Sequence, residues 1–275
     1  MRTFRRCLGY GLVAYGGVLL LLMWFEESLI FVPAKYPDGD FHPAGLVFED
    51  AQFAAADGTG LHGWYVAEPE PCAVLLFAHG NAGNLTHRAD VVWTLHRRLA
   101  ATVMIFDYRG YGRSAGSPNE AGILQDARAA RAWLARRAAV DEAQIVLFGE
   151  SIGGAVMVDL AAQDGARALI LQSTFTSLPD VAAHHFPWAP VRLLMRTRLD
   201  SLDKIARYGG PLVQSHGDAD EIVPYELGRR LHRAAPSSSK KFITIPGGFH
   251  NDPLPNWYYG ELRRFLNQLD QSARR

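Results

Sequence analysis

From residue 73 onward, short runs that are apolar at every position alternate with longer segments that mix apolar and polar residues at helical spacing. The run Val74-Leu-Leu-Phe77 has no polar face, which fits a strand covered on both sides rather than a half-solvated one. Strands are predicted near 46–53, 62–67, 73–78, 102–106, 144–149, 168–172, 211–215 and 241–245, and helices near 86–100, 118–138, 152–163, 225–234 and 255–270. Such alternation specifies the α/β class: a mostly parallel eight-stranded sheet with helices on both faces. Ser117-Pro118-Asn119-Glu120 reads as a capping box with proline at the first helical position. One connection is long. Between the strand ending near Gln172 and the strand starting at Pro211 lies a proline-broken apolar stretch, Phe186-Pro-Trp-Ala-Pro-Val-Arg-Leu-Leu-Met195. It is read as a short cap over about 176–210, before strand seven.

The N-terminus has a different pattern. Residues 8–25 carry no charge and as a helix would extend about 27 Å, close to the thickness of a bilayer core. Arg2, Arg5 and Arg6 precede this run while Glu26 and Glu27 follow it, so the positive-inside rule places the N-terminus in the cytoplasm. The expectation is a single-pass membrane protein whose main domain, residues 46–275, lies on the outer, periplasmic or extracytoplasmic side. A cleaved signal peptide competes with this reading, but no small-x-small site follows the run; a buried soluble helix is the other competitor, and four glycines count against it. The expected organisation is a basic segment and anchor over 1–30, a Pro- and Gly-rich connector over 31–45, and a catalytic domain over 46–275.

Bulk properties narrow the function. With 28 basic and 28 acidic residues there is no net charge to draw the chain to nucleic acid. Cys7 and Cys72 cannot build a disulfide framework and have no metal-ligand spacing, and neither a Walker nor a zincin pattern is present. No cofactor and no metal are expected.

The chemistry is concentrated at Gln144-Ile-Val-Leu-Phe-Gly-Glu-Ser151-Ile-Gly-Gly154, where a strand-length apolar run ends at Gly149 and a helical segment follows Ser151 directly. That is the form of a nucleophile elbow, with Gly149 and Gly153 sparing the turn side-chain clashes. Gly112-Arg-Ser114-Ala-Gly116 matches the same G-x-S-x-G pattern, but no strand delivers Ser114 into a helix, so it is assigned to a loop. A serine needs a base held in one tautomer by an acid. In chain order the acid comes from Gly217-Asp218-Ala219-Asp220-Glu221, with Asp220 chosen, Asp218 in reserve and Glu221 placed near the next helix. Only His232 and His250 follow Asp220; His232 falls within a helix, whereas His250 sits in a glycine-rich loop after a strand and is taken as the base. His184 and His185 are read as surface or pocket-rim residues. An oxyanion hole is expected from the backbone amides of Ile152 and of Asn81, in the loop His79-Gly-Asn-Ala-Gly-Asn84.

Taken in order with Phe106-Asp-Tyr-Arg-Gly-Tyr-Gly-Arg-Ser114, His216-Gly-Asp-Ala-Asp220 and Gly248-Phe-His250-Asn251, these motifs resemble the α/β-hydrolase superfamily over about residues 46–270. More narrowly, the chain is similar to membrane-anchored serine hydrolases of the α/β-hydrolase domain-containing type, which include depalmitoylases and lysophospholipases. The resemblance implies the α/β-hydrolase fold, a Ser151–Asp220–His250 triad, and Asn81 and Ile152 as amide donors. Membrane attachment and the apolar cap direct the expected function to small-molecule or lipid-derived acyl esters and thioesters. A serine peptidase and a non-catalytic binding protein are the alternatives.

Overall fold

The computed structural model describes residues 2–273. Its centre is an eight-stranded sheet: β1 (Glu49–Ala54), β2 (Gly60–Val66), β3 (Ala73–Ala78), β4 (Ala101–Phe106), β5 (Ile145–Glu150), β6 (Ala168–Gln172), β7 (Leu212–Gly217) and β8 (Lys240–Ile245). Across the sheet the order is β8-β7-β6-β5-β3-β4-β2-β1. β2 pairs antiparallel with both β1 and β4, and every other neighbour is parallel.

Side chains in β3 alternate between two cores, as a period of two requires. Val74, Leu76 and Ala78 join one apolar cluster, with residues of α4 (Glu120–Ala138) and α5 (Ile152–Asp164). Ala73, Leu75 and Phe77 join the other, with residues of α3 (Ala89–Leu99) and α10 (Asn256–Ala273). Because β3 through β8 run parallel, the loops after β3, β5, β7 and β8 all emerge at one edge of the sheet, where α/β folds gather their ligands.

α4 starts two residues later than the capping-box reading requires. The Asn119 side chain accepts from Gly122 N at 2.8 Å, so Asn119 is the cap and Pro118 precedes the helix. An asparagine with extended backbone is an equally good cap, and here it outcompetes Ser117. Between β6 and β7 the chain forms α6 (Leu178–His185), α7 (Val191–Leu194) and α8 (Ser201–Ile205), with α9 (Tyr225–Ala234) following β7.

The N-terminal expectation is corrected. Residues Arg2–Trp24 form helix α1, yet among the described residues no helix is long and apolar enough to cross a membrane. The single-pass location with an outward catalytic domain is therefore withdrawn, and with it the membrane as a partner through this helix. The uncharged part of α1, residues 7–24, spans about 27 Å against a hydrocarbon core of about 30 Å, but Tyr10, Tyr15 and the four glycines dilute its apolar character. The side chains of Arg2 and Arg5, on which the orientation leaned, lie outside what the structure describes. α1 also touches the region between β6 and β7: Tyr15 Oη donates to Trp188 O at 2.9 Å, and Arg196 Nη2 to Met23 O at 3.0 Å. A second short helix, α2 (Glu26–Ile30), follows, and Val32–Pro33 then pairs in parallel with Ala82–Gly83 beside the loop after β3.

Candidate active site

β5 runs into α5 with Ser151 alone between them, and the turn forces this residue to φ 54°, ψ −116°. A non-glycine residue in that region is strained and persists only when its surroundings hold it. Here Ser151 N donates to Gln172 O at 2.8 Å and Thr174 Oγ1 donates to Ser151 O at 2.8 Å. Its glycines are required by close approach. A Cβ at Gly149 would lie 2.5 Å from Gly153 O, and one at Gly153 would lie 2.1 Å from Ala78 O. The sharp strand-to-helix turn therefore exists because two backbone segments can touch without side chains between them.

Asp220 is positioned by the turn after β7. Asp220 Oδ1 accepts from the amides of Ile222 and Val223 at 3.0 and 2.8 Å, and Oδ2 faces His250 Nδ1 at 2.8 Å. Burial alone would raise its pKa, but hydrogen bonds from His216 and His250, and then the Val223 amide, outweigh it and hold the carboxyl far below its ordinary value. The loop after β8 brings His250. Gly217 and Gly248 let the two loops meet, since a Cβ at Gly217 would sit 2.1 Å from Gly248 O. Asp218 Oδ1 accepts from Gly247 N at 2.6 Å, which gives the reserve acid a role in loop geometry. From there His250 Nε2 reaches Ser151 Oγ at 3.1 Å. Ser151, His250 and Asp220 thus form one hydrogen-bonded line from three different loops.

The remaining sequence candidates separate cleanly. Ser114 is buried in a loop, where its Oγ accepts from His62 N at 3.0 Å and donates to Asp107 O at 2.8 Å. His232 packs against Phe242 with ring centroids 5.3 Å apart, and burial, with Lys240 nearby, pushes its pKa down to about 4. Glu221 is exposed before α9. His185 lies at the cavity rim, its Nε2 2.8 Å from Ile222 O, and His184 is exposed beside it.

Asn81 and Ile152 line the same cavity as Ser151 and His250, a space of about 330 Å³. Ile152 opens α5, so its amide has no partner one turn back within the helix. Asn81 is tied down on three sides: its carbonyl accepts from Tyr111 Oη at 2.7 Å and Val32 N at 3.3 Å, and its Nδ2 donates to Ile30 O at 2.7 Å. Burial raises the pKa of the Tyr111 phenol, so it stays a donor. Arg88 grips Glu150 through two bonds of 2.8 and 2.7 Å, joining the loop after β3 to the elbow. A larger surface hollow of about 570 Å³ near Val47 and Trp93 includes neither Ser151 nor His250.

Two contributors escaped the sequence reading. His216 Nε2 lies 3.1 Å from Asp220 Oδ2, so the acid carries two imidazoles, and the His–x₃–Asp spacing across a turn was the available signal. Leu29 and Ile30 line the cavity from outside the expected catalytic domain, and no periodicity announces that.

Residues 69–204 match the family model described as "Serine aminopeptidase, S33". The chain is 39% identical over 261 residues to the protein Rv2307c of Mycobacterium tuberculosis, with 91% of each covered. It is 34% identical to the α/β hydrolase domain-containing protein WAV2 of Arabidopsis thaliana, covering 89% of this chain and 87% of that one. Among solved structures, the Pyrococcus furiosus esterase Pf2001 superposes with a TM-score of 0.72 at 18% identity, covering 87% of this chain and 98% of that one, a likeness of fold. Similarity to these relatives over nearly the whole length joins the elbow and the sheet order in one conclusion: the chain belongs to the α/β-hydrolase superfamily.

Proposed function

We propose that the protein hydrolyses acyl esters or thioesters through an acyl-Ser151 intermediate, with residues 46–275 as the catalytic unit and about 176–210 as its cap. The observation that carries this reading is the line from Ser151 Oγ to His250 Nε2 (3.1 Å) and from His250 Nδ1 to Asp220 Oδ2 (2.8 Å). As Ser151 Oγ attacks the acyl carbon, His250 takes its proton and Asp220 stabilises the imidazolium. The new oxyanion is met by the amides of Asn81 and Ile152, a contribution of about 3 to 4 kcal/mol for one such donor. Collapse expels the alcohol or thiol, protonated by His250. Water then attacks the acyl-serine, His250 accepts its proton, the acid leaves and the proton returns to Ser151.

A peptidase on the same residues is the second reading, favoured by the description of the matching family model. The cavity wall speaks for the ester. An aminopeptidase needs an anionic group for the substrate ammonium, and Glu150, the one carboxylate among the described residues lining the cavity, is already bound by Arg88. The remaining wall is largely apolar, with Phe175, Leu178, Val181 and Met195.

A fluorophosphonate probe, followed by a panel of p-nitrophenyl esters, thioesters and aminoacyl amides, tests the proposal. Labelling of wild type and turnover of esters are expected, both lost in Ser151→Ala. Labelling retained in Ser151→Ala would sink the nucleophile assignment, and faster cleavage of amides than of matched esters would favour the peptidase.

A further inference from the structure

The segment before the sheet is built into the cavity. Glu26, at the start of α2, is only 5% exposed, and its carboxylate is spent on backbone amides of the cap. Oε1 accepts from Arg196 N at 2.9 Å and from Thr197 N at 2.6 Å, and Oε2 from Arg196 N at 3.2 Å. The Arg196 guanidinium answers by bonding Met23 O at 3.0 Å and lying 3.6 Å from Glu26 Oε2. A buried carboxylate with two backbone donors is a strong and directional tie, since removing it leaves those amides unpaired. One turn later, Leu29 and Ile30 line the cavity together with Met195, the residue preceding Arg196. Ile30 O then takes the Asn81 side chain at 2.7 Å, and Val32 N the Asn81 carbonyl at 3.3 Å. One stretch of eleven residues, 23–33, therefore fastens the cap at one end and the loop carrying Asn81 at the other.

We infer that this stretch determines acyl-chain specificity: Leu29, Ile30 and Met195 form the wall against which the substrate's acyl chain lies, and Glu26 sets the position of that wall by holding Arg196 and Thr197. The inference rests on the ester-hydrolase reading above. Glu26 is a positioning residue here, without contact to the reacting atoms. Apolar contact rewards each further methylene of a bound chain, so a displaced or filled wall penalises long acyl groups much more than acetyl.

The test measures kcat and KM of the full-length protein on p-nitrophenyl acetate, butyrate, octanoate and decanoate. Leu29→Trp, at a position that is 59% exposed and so tolerant of bulk, lowers the decanoate-to-acetate ratio of kcat/KM by about tenfold or more. Glu26→Ala lowers the same ratio through KM for the long esters, and Glu26→Gln, which keeps one acceptor oxygen for the cap amides, restores most of it. Ratios that stay within about twofold of wild type in both Leu29→Trp and Glu26→Ala overturn the inference. So does a loss that is uniform across chain lengths and unrelieved by Glu26→Gln, since that marks a purely structural role. Fluorophosphonate labelling of the same wild-type preparation separates the two levels. A labelled enzyme with an unmoved chain-length profile removes the specificity claim alone, whereas an unlabelled wild type removes the hydrolase reading and this claim with it.

Discussion

Ser151 and Ser114 occupy the same five-residue pattern, Gly-x-Ser-x-Gly, and meet opposite fates. Ser114 follows β4 by several residues, and its hydroxyl is consumed by the backbone, accepting from His62 N and donating to Asp107 O. Ser151 has no loop in which to relax. Its backbone groups are bound by Gln172 and Thr174, leaving the hydroxyl to His250. The difference lies in the chain on either side of the motif: a strand that ends at the serine and a helix that begins after it hold φ at 54°, and local hydrogen bonds cannot use up the Oγ. The pattern is common to both, while the strain is specific to one.

The sharpest way to break this comparison is to remove each hydroxyl. Ser151→Ala should lower ester turnover by about five to six orders of magnitude, measured under single-turnover conditions. Ser114→Ala should keep turnover near wild type and lose about 1 to 3 kcal/mol in urea unfolding, because the buried His62 amide loses its acceptor. Reversed results would mean that the loop serine carries the chemistry. Next in size is Asp220→Asn, expected to cost about 10⁴ in kcat by disturbing the His250 tautomer. A change below about tenfold would remove the acid from the account.

The glycines sharpen the same contrast. Gly153→Ala forces a methyl to within 2.1 Å of Ala78 O and should cost about 3 kcal/mol of stability together with most activity. Gly116→Ala, in the loop motif, meets Thr59 Cγ2 at 3.3 Å and Arg109 Cβ at 3.6 Å but has φ of +82°, so about 1 kcal/mol is expected, with activity kept. Equal losses at the two glycines would deny the elbow its special packing.

The smallest effect is with pH. His250 must be neutral to accept the Ser151 proton, so kcat/KM should fall as the solution is made acid. A flat profile from pH 5 to 8 would exclude a histidine base. Stability runs the other way in origin. The folded Asp220 carboxyl is held below its unfolded value, so its contribution is complete above about pH 4 and disappears as pH falls through the depressed folded value. Asp220→Asn should therefore be less destabilising, relative to wild type, in strong acid than at pH 7.

The parallel sheet was legible because β3 is apolar at every position and β4 at every position but Thr102, a pattern that half-solvated strands do not produce. Ser151, Asp220 and His250 were legible because each follows a strand, and parallel strands put such positions on one edge. The N-terminus misled for a physical reason. A charge-free run of the right length reads as a span whatever its dilution, and in α1 four glycines and two tyrosines interrupt apolar residues such as Val13 and Leu20 that stay exposed. His216 went unassigned because its contact with Asp220 depends on the turn between them, although the four-residue spacing was there to read. The cap of α4 moved from Ser117 to Asn119 because two candidates two residues apart compete, and the side chain of Asn119 takes the Gly122 amide.

The central claim is an acyl group carried by one serine. Rapid quench of wild type with a slowly deacylated p-nitrophenyl ester, followed by intact-protein and peptide mass measurement, reads it directly. The account predicts a burst of nitrophenol matched by one acyl increment on the peptide containing Ser151, absent in Ser151→Ala. No increment during turnover, or an increment on the peptide containing Ser114, would contradict it.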